Sequence, residues 1–381
     1  MTQVLAEALV QKDYKVTVIV FGDEEKEYYV NNVKIRICRP NEIHLKSKKI
    51  TYRINRLLQM YNPFNEKVLS RILDEEKPDI VHVEMLRRAS YSAFKTLRKR
   101  GMKTVITLHE IFSLWNFDPF DQFKNILISK PDLICRTIRE RHRKVTRNIG
   151  MVTAPCQWIV DAYTEDGYFR DCNYRVFYNA MPFDKIESEK ILHEKENKIR
   201  NDRIVRFLYI GRMDVFKGIE LILDTLKVSQ DQDIEVHFAG EGPLKKEVQK
   251  VAEQDKRIIV HGYVGGEEKK NLFCESDVLL FLSEDIETFG LVCMEAMNYS
   301  LPIISSNIRS TEFFVKNNFN GVVLAERDKT LLKEAMECYH DKELLLSQAR
   351  CGQEMLKQYD FTKYVDENVK LYESLMNEQC V

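Results

Sequence analysis

The chain has 381 residues, of which 44% are hydrophobic and 31% charged, with 58 Lys+Arg against 59 Asp+Glu. This length accommodates two ordinary domains with separate cores, and the composition is that of a globular protein rather than a disordered, collagenous or disulfide-scaffold chain. No apolar run reaches the about 18 residues of a membrane span, Glu7 and Asp13 argue against a signal peptide, and nine cysteines without paired or metal-like spacing suit a reduced, cytoplasmic protein.

The near-zero balance hides an asymmetry: residues 1–180 hold 31 Lys+Arg against 22 Asp+Glu, and residues 181–381 hold 27 against 37. A basic front half suits anionic lipid headgroups or a phosphate-bearing acceptor, and equally a solvated surface. Residues 2–11 read as an amphipathic helix with Val4, Leu5, Ala8 and Leu9 on one face. Residues 15–21 then read as a buried strand and 33–38 as another. Strands at 79–83 and 103–108 flank a basic helix around 90–100, and this alternation predicts a parallel α/β layer. His109 and Glu110 follow the strand 103–108, at the carboxyl edge where such sheets bind ligands. Residues 112–123, with Trp115, Phe117 and Phe120, form an aromatic-rich loop suited to an acceptor pocket, a lipid surface or ordinary packing. Residues 136–147, RTIRERHRKVTR, read as a basic helix, either a solvated face or an interfacial helix for an anionic membrane. No nucleic-acid motif accompanies it, and a pI near 6.7 argues against that partner.

Strands are expected at 151–155 and 176–180, followed by a charged stretch at 185–203 that reads as an interdomain linker with some helix. A second domain begins at 204. Its first strand, 205–210, runs into Gly211-Arg212-Met213-Asp214-Val215-Phe216-Lys217-Gly218 and a helix over 219–226. A glycine turn carrying one Arg and one Lys at a strand-to-helix junction suits a pyrophosphate, because Arg212 can grip it bidentately while Lys217 supplies a point charge. The next strand, 234–239, ends in Gly240-Glu241-Gly242-Pro243. Pro243 and Lys245 stand where a dinucleotide fingerprint wants a further glycine, which disfavours a dehydrogenase. A strand from 258 that ends at Gly262 follows.

The stretch 283–312 organises the rest. An apolar run at 278–282 reads as a buried strand ending in an acidic loop, and a helix is expected at once, with Thr288 as N-cap and Phe289, Gly290, Leu291 and Val292 in its first turn. Unpaired N–H groups and the helix dipole make that turn an anion site. Glu287 stands just before it and Glu295 two turns inside, roughly 10 Å apart, about the span from a hexose to a ribose across a pyrophosphate. A strand at 302–304 and further helices from 329 complete the pattern.

The run Glu287-Thr288-Phe289-Gly290-Leu291-Val292-Cys293-Met294-Glu295 resembles the Glu-x7-Glu signature of the retaining glycosyltransferases of family 4, and Gly211 to Gly218 resembles that family's Gly-Arg-x4-Lys-Gly turn. The resemblance covers nearly the whole chain, densely over 207–321. It implies the GT-B fold, two Rossmann-like parallel-sheet domains facing a cleft. The boundaries it suggests are an acceptor-side domain at 1–184, a linker at 185–203, a nucleotide-sugar domain at 204–360 and a helix at 361–381 crossing back to the first domain. It implies catalytic roles for Arg212, Lys217, Glu287 and His109, the last within Thr107-Leu108-His109-Glu110. Donor binding would fall to Gly211, Glu295, Phe289, Gly290, Leu291, Gly240 and Gly242, with the backbone at Tyr263 and Val264 meeting the base. Three departures stand out. The usual first strand and its glycine loop are missing before residue 2, which would expose two strand edges. Ala180 replaces a glycine, and Ser300, Ile308 and Arg309 replace glycines near Glu312.

The function so implied is transfer of a sugar from a UDP- or GDP-sugar to an acceptor hydroxyl with retention, in surface-polysaccharide or lipid-linked glycan synthesis. No metal or other cofactor is expected. The partners would be the donor, a glycan or lipid-linked acceptor and the anionic inner face of the cell membrane. Two alternatives stand beside it: an inactive nucleotide-sugar-binding relative acting as a partner subunit, and a nucleotide-sugar epimerase or hydrolase.

Overall fold

A computed structural model of the chain describes residues 1–40, 42, 55, 58, 61–86, 89–110, 133–284 and 287–377. They fall into two compact units, residues 1–180 with 362–381, and residues 181–361.

In the first unit, Thr17–Phe21 (β1), Lys26–Val30 (β2) and Val33–Cys38 (β3) form a sheet in the order β1-β3-β2. β1 runs parallel to β3, and β2 and β3 form an antiparallel hairpin. The hairpin turns at Asn31 and Asn32, both at positive φ, as a two-residue primed turn requires. Ile80–Val83 (β4), Lys103–Thr107 (β5), Met151–Ala154 (β6) and Asn173–Val176 (β7) form a separate parallel sheet in chain order. Among the described residues β1 pairs only with β3 and β4 only with β5. Each apolar strand therefore keeps one open edge, and Val20 of β1 is 44% exposed although its run reads as a buried strand. β7 lies three residues before the strand expected at 176–180; as an edge strand it is mostly exposed, so its apolar signal is weak. The aromatic loop at 112–123 lies outside the described residues.

The basic helix forms at Leu133–Thr146. Much of its charge is committed within the unit: Arg139 and Arg143 both reach Asp166, and Arg147, just beyond its end, meets Asp171. The helix Phe361–Asn377 packs in this unit through Tyr372, whose hydroxyl lies 2.7 Å from His82 Nδ1. Lys103 Nζ also donates to Leu375 O at 2.6 Å, taking up a carbonyl at that helix's end.

The second unit is built on one parallel sheet. Val205–Ile210 (β8), Ile234–Ala239 (β9), Ile258–Gly262 (β10), Val278–Phe281 (β11), Ile303–Ser306 (β12) and Gly321–Leu324 (β13) take the order β10-β9-β8-β11-β12-β13. Every pairing is parallel. The central strands are buried on both faces, so they read as continuous apolar runs. Helix Ile219–Val228 covers one face with Ile219, Ile222, Leu223 and Leu226, a helical stripe. The strand order reverses direction between β8 and β11. This is the switch point at which open α/β sheets leave a crevice beyond their carboxyl ends.

The stretch expected as a linker is a 17-residue helix, Lys185–Asn201, capped by Asp184, whose side chain accepts from Ile186 and Glu187 N–H. It belongs to the second unit by packing, burying Ser188, Ile191, Lys195 and Ile199. The low hydrophobicity of 185–202 concealed this, because two of the four buried positions are polar. Lys195 is fully buried and donates to Phe273 O at 2.9 Å and Ser276 O at 2.6 Å, closing the end of helix Gly266–Glu275. Burial lowers its pKa to about 7, against the attraction of Asp277. The folded state therefore binds fewer protons than the unfolded chain between about pH 7 and the ordinary lysine range. Stability gained from this group rises with pH across that window, and the full cost of the buried charge is felt below it. Urea midpoints followed by circular dichroism should rise from pH 7 to pH 9, and Lys195→Met should remove that contribution to the slope. An unchanged slope in the variant would refute it.

Candidate active site

The carboxyl ends of β8 and β11 define a pocket in the second unit. It is lined by Tyr209, Ile210 and Gly211 from the first strand and Leu280 to Ser283 from the second, with Lys217, Glu287, Gly290, Leu291 and Val292 completing the wall. It therefore sits at the switch point itself.

The loop after β8 is held from several sides. Tyr209 donates its hydroxyl to Arg212 O at 2.6 Å, Met213 N–H donates to Glu241 O at 2.8 Å, and Asp214 caps the short 3-10 turn Val215–Lys217 through Val215 N–H. The turn after β9 lies directly on this loop. A Cβ on Gly240, at φ +133, would stand 1.9 Å from Gly211 O. Gly240 therefore earns its place by backbone contact with the pocket wall, and neither Gly240 nor Gly242 lines the pocket itself.

Lys217 forms an ion pair with Glu287 across the pocket, both side chains mostly covered. Arg212 differs: its guanidinium is 64% exposed and meets Asp214 at 2.8 Å, and it does not line the pocket. Among the described residues the cation at the pocket is Lys217, with Arg212 one loop position away from Gly211.

The helix expected with Thr288 as its N-cap begins two residues later, as Leu291–Asn298, with Gly290 as its N-cap in the left-handed region at φ +78. Only glycine takes that conformation cheaply, and its missing Cβ also leaves room for the Phe281 ring, which would lie 2.9 Å from it. The first intrahelical turn closes with Cys293 N–H on Gly290 O, which leaves the Leu291 and Val292 N–H groups ahead of it at the pocket wall. With the later start, Glu295 lies about one turn inside the helix rather than two. Its side chain is mostly covered and accepts from Lys269 Nζ at 2.6 Å. Both acidic anchors are thus turned into the protein, and each holds a lysine.

Phe289 is 2% exposed and packs edge-on against Phe314, 4.8 Å between centroids, so its side chain anchors the loop in the core. Val264 is buried, while Tyr263 is 77% exposed at the end of β10. Asp285 and Ile286, in the acidic loop before Glu287, lie outside the described residues.

His109 belongs to the first unit. It stands beyond β5, where its Nε2 lies 2.5 Å from Glu84 Oε2. Glu84 and Lys269 escaped the reading of the sequence. Glu84 had a signal, since it follows β4 as His109 follows β5. Lys269 had none, because it is one of two adjacent lysines on the helix Gly266–Glu275.

A parallel sheet with its pocket at the switch point, a helix that starts at the pocket wall and a lysine in the loop beyond β8 are the parts of a ligand site in a doubly wound α/β unit. Residues 189–358 match the model for glycosyl transferases group 1, and residues 1–185 match that for glycosyltransferase family 4. The chain belongs to glycosyltransferase family 4. Its relatives include an uncharacterized 41.2 kDa protein in the cps region of Klebsiella pneumoniae, 26% identical over 71% of this chain and 72% of the other. Another is the alpha-monoglucosyldiacylglycerol synthase of Acholeplasma laidlawii, 24% identical over 79% and 77%. Solved structures with the same fold include sucrose-phosphate synthase from Thermosynechococcus elongatus, with TM-score 0.74, 14% identity and coverage of 99% and 93%. Anabaena HepE in complex with UDP-glucose follows at TM-score 0.68, 15% identity and coverage of 97% and 94%.

Proposed function

We propose that this chain transfers a hexosyl or related sugar from a UDP- or GDP-sugar to an acceptor hydroxyl with retention at the anomeric carbon. The acceptor would be a growing surface polysaccharide or a lipid-linked glycan. The observation carrying this reading is the convergence of Lys217, Glu287 and the Leu291 and Val292 amides on one pocket at the switch point. As the glycosidic bond breaks, the departing diphosphate gains negative charge, and preorganised cations and amides stabilise that charge most in a partly dry site. Lys217 is positioned to do so once the donor draws it from Glu287. Glu287 would then hold the sugar hydroxyls and Glu295, steadied by Lys269, the ribose. Arg212 would swing from Asp214 to the phosphates, and the backbone near Tyr263 and Val264 would meet the base. The leaving phosphate itself takes the acceptor's proton, so no covalent nucleophile is required.

Because Lys217 and the helix amides supply the positive charge, the reaction is proposed to need no metal ion. Turnover after EDTA treatment should match that of untreated protein, and a loss restored by added magnesium or manganese would refute this. Membrane contact, where it occurs, would use the exposed Arg136, Arg141 and Lys144 of the basic helix, at the inner face of the cell membrane.

The defining experiment screens UDP- and GDP-sugars for thermal stabilisation, then reads the product's anomeric configuration by NMR with a glycan acceptor. A stabilising donor and a retained linkage are expected. An inverted product would overturn the mechanism. A second reading, an inactive binding subunit, predicts donor stabilisation with no product from any acceptor.

A further inference from the structure

Among the described residues, each cation of the candidate site already holds an acid. Lys217 Nζ is paired with Glu287 Oε2, and Arg212 Nη2 lies 2.8 Å from Asp214 Oδ2. The two pairs differ in setting. Arg212 is mostly exposed and lies outside the pocket, whereas the Lys217 and Glu287 side chains are 28% and 20% exposed and both line it. A pair in open water is screened and gives way at little cost, while a covered pair holds more firmly. The lysine of the pocket is therefore occupied before any ligand arrives.

The backbones that carry this pair are tied to each other. Glu284 N–H donates to Phe216 O at 2.8 Å, joining the loop after β11 to the loop after β8, and Lys217 N–H donates to Asp214 O at 3.0 Å. Separating the pair is then a matter of side chains alone. Cys293 and Tyr209 stand close enough to feel it and add no charge. Burial, with Glu287 acting the same way, raises the pKa of the Cys293 thiol, and burial followed by Asp214 and Glu287 raises that of the Tyr209 phenol. A phosphate entering the pocket thus meets a neutralised ion pair rather than a free ammonium.

We infer that this pair is a selectivity latch: Glu287 withholds Lys217 from a sugar-free nucleoside diphosphate and releases it when sugar hydroxyls take the carboxylate. The inference rests on the proposed transferase reading, in which Glu287 meets the sugar and Lys217 the diphosphate. It adds that both contacts compete with the resting pair. A donor brings hydroxyls and phosphates together, so it satisfies both partners as they separate; a bare diphosphate leaves Glu287 without one. Once the sugar has been transferred, the carboxylate returns to Lys217 and weakens the hold on the spent diphosphate. A ligand shifts such an equilibrium only through its differential affinity for the two states, and a site that is open about one tenth of the time binds about ten-fold more weakly.

The test is calorimetric titration of the full chain with UDP, GDP, UDP-glucose, UDP-N-acetylglucosamine and GDP-mannose. The proteins are native, Glu287→Gln, the double variant Lys217→Ala/Glu287→Gln and, as a control for removing any nearby negative charge, Glu284→Gln. Glu284 lies in the same loop but outside the pocket, half-exposed and 3.7 Å from Arg327. Glu287→Gln should bind the diphosphate that the native chain prefers about ten-fold tighter, equivalent to about 1.4 kcal/mol, while Glu284→Gln stays within two-fold of native. The best of the nucleotide sugars should bind native protein at least ten-fold tighter than its own diphosphate, and Glu287→Gln should lose that advantage. In the double variant the tightening should vanish, because no lysine is left to free. Diphosphate affinity in Glu287→Gln at or below the native value, an equal gain in Glu284→Gln, or a sugar advantage kept in Glu287→Gln would overturn the latch and leave the pocket's assignment standing. A native chain that binds neither UDP nor GDP would overturn the transferase reading itself, and the latch with it.

Discussion

Lys217→Ala is expected to lower kcat by about 10²-fold or more, a loss of about 3 kcal/mol of transition-state stabilisation. Among the described residues Lys217 is the cation lining the pocket, whose wall also includes Leu291 and Val292 at the helix start. Charge develops on the diphosphate as the sugar leaves, so a fixed ammonium there acts on the transition state more than on the bound donor. The fold should suffer little. The side chains of the Lys217–Glu287 pair are mostly covered yet keep some solvent contact, so its loss should cost on the order of 1 to 2 kcal/mol. Lys217→Arg keeps the charge but not the compact shape, and should recover only part of the rate. Steady-state kinetics with a saturating acceptor would check this, and a kcat within three-fold of native in Lys217→Ala would remove Lys217 from the mechanism.

Gly240→Ala should be the most destabilising single substitution near the pocket. The new Cβ would lie 1.9 Å from Gly211 O, a contact that only backbone movement can relieve, and the residue sits at φ +133, where an L side chain is strained. Strain and overpacking together predict a loss of about 3 kcal/mol or more. The backbone that must move carries Gly211, so donor affinity should fall with stability. Gly265→Ala is the control. Its backbone is extended and its nearest neighbour, the Tyr263 ring, would be 3.5 Å away, so about 1 kcal/mol or less is expected. Urea unfolding of the two variants measures the contrast, and equal stabilities would show that the turn after β9 is not held against the pocket wall as described.

The second unit was readable because its physics is local. β8 and β11 are covered on both faces, so they announce themselves as apolar runs, and Lys217 and Glu287 lie in the loops beyond their carboxyl ends, the side on which a parallel sheet binds its ligand. The first unit was less legible. β2 is exposed along its whole length and gave no apolar pattern, although Asn31-Asn32 marked its turn. The helix over 185–201 hid because its buried stripe includes a serine and a lysine, groups whose burial is paid by partners more than a hundred or some eighty residues away, Asn298 for Ser188 and Phe273 O for Lys195. The start of helix Leu291–Asn298 was misplaced because a threonine is the commoner cap, whereas Gly290 was selected by its left-handed backbone and by the Phe281 ring. Pairings such as Lys269 with Glu295 and Glu84 with His109 join positions some 25 residues apart, and no periodicity encodes them.

Calorimetric titration of nucleoside diphosphates into native and Lys217→Ala protein addresses the pocket most directly. The native chain should bind UDP or GDP well above the corresponding nucleoside, with the diphosphate's advantage reduced at least ten-fold in the variant and nucleoside binding unchanged. Equal diphosphate affinities in the two proteins, or no preference of the native chain for diphosphate over nucleoside, would contradict a site built to neutralise a departing diphosphate.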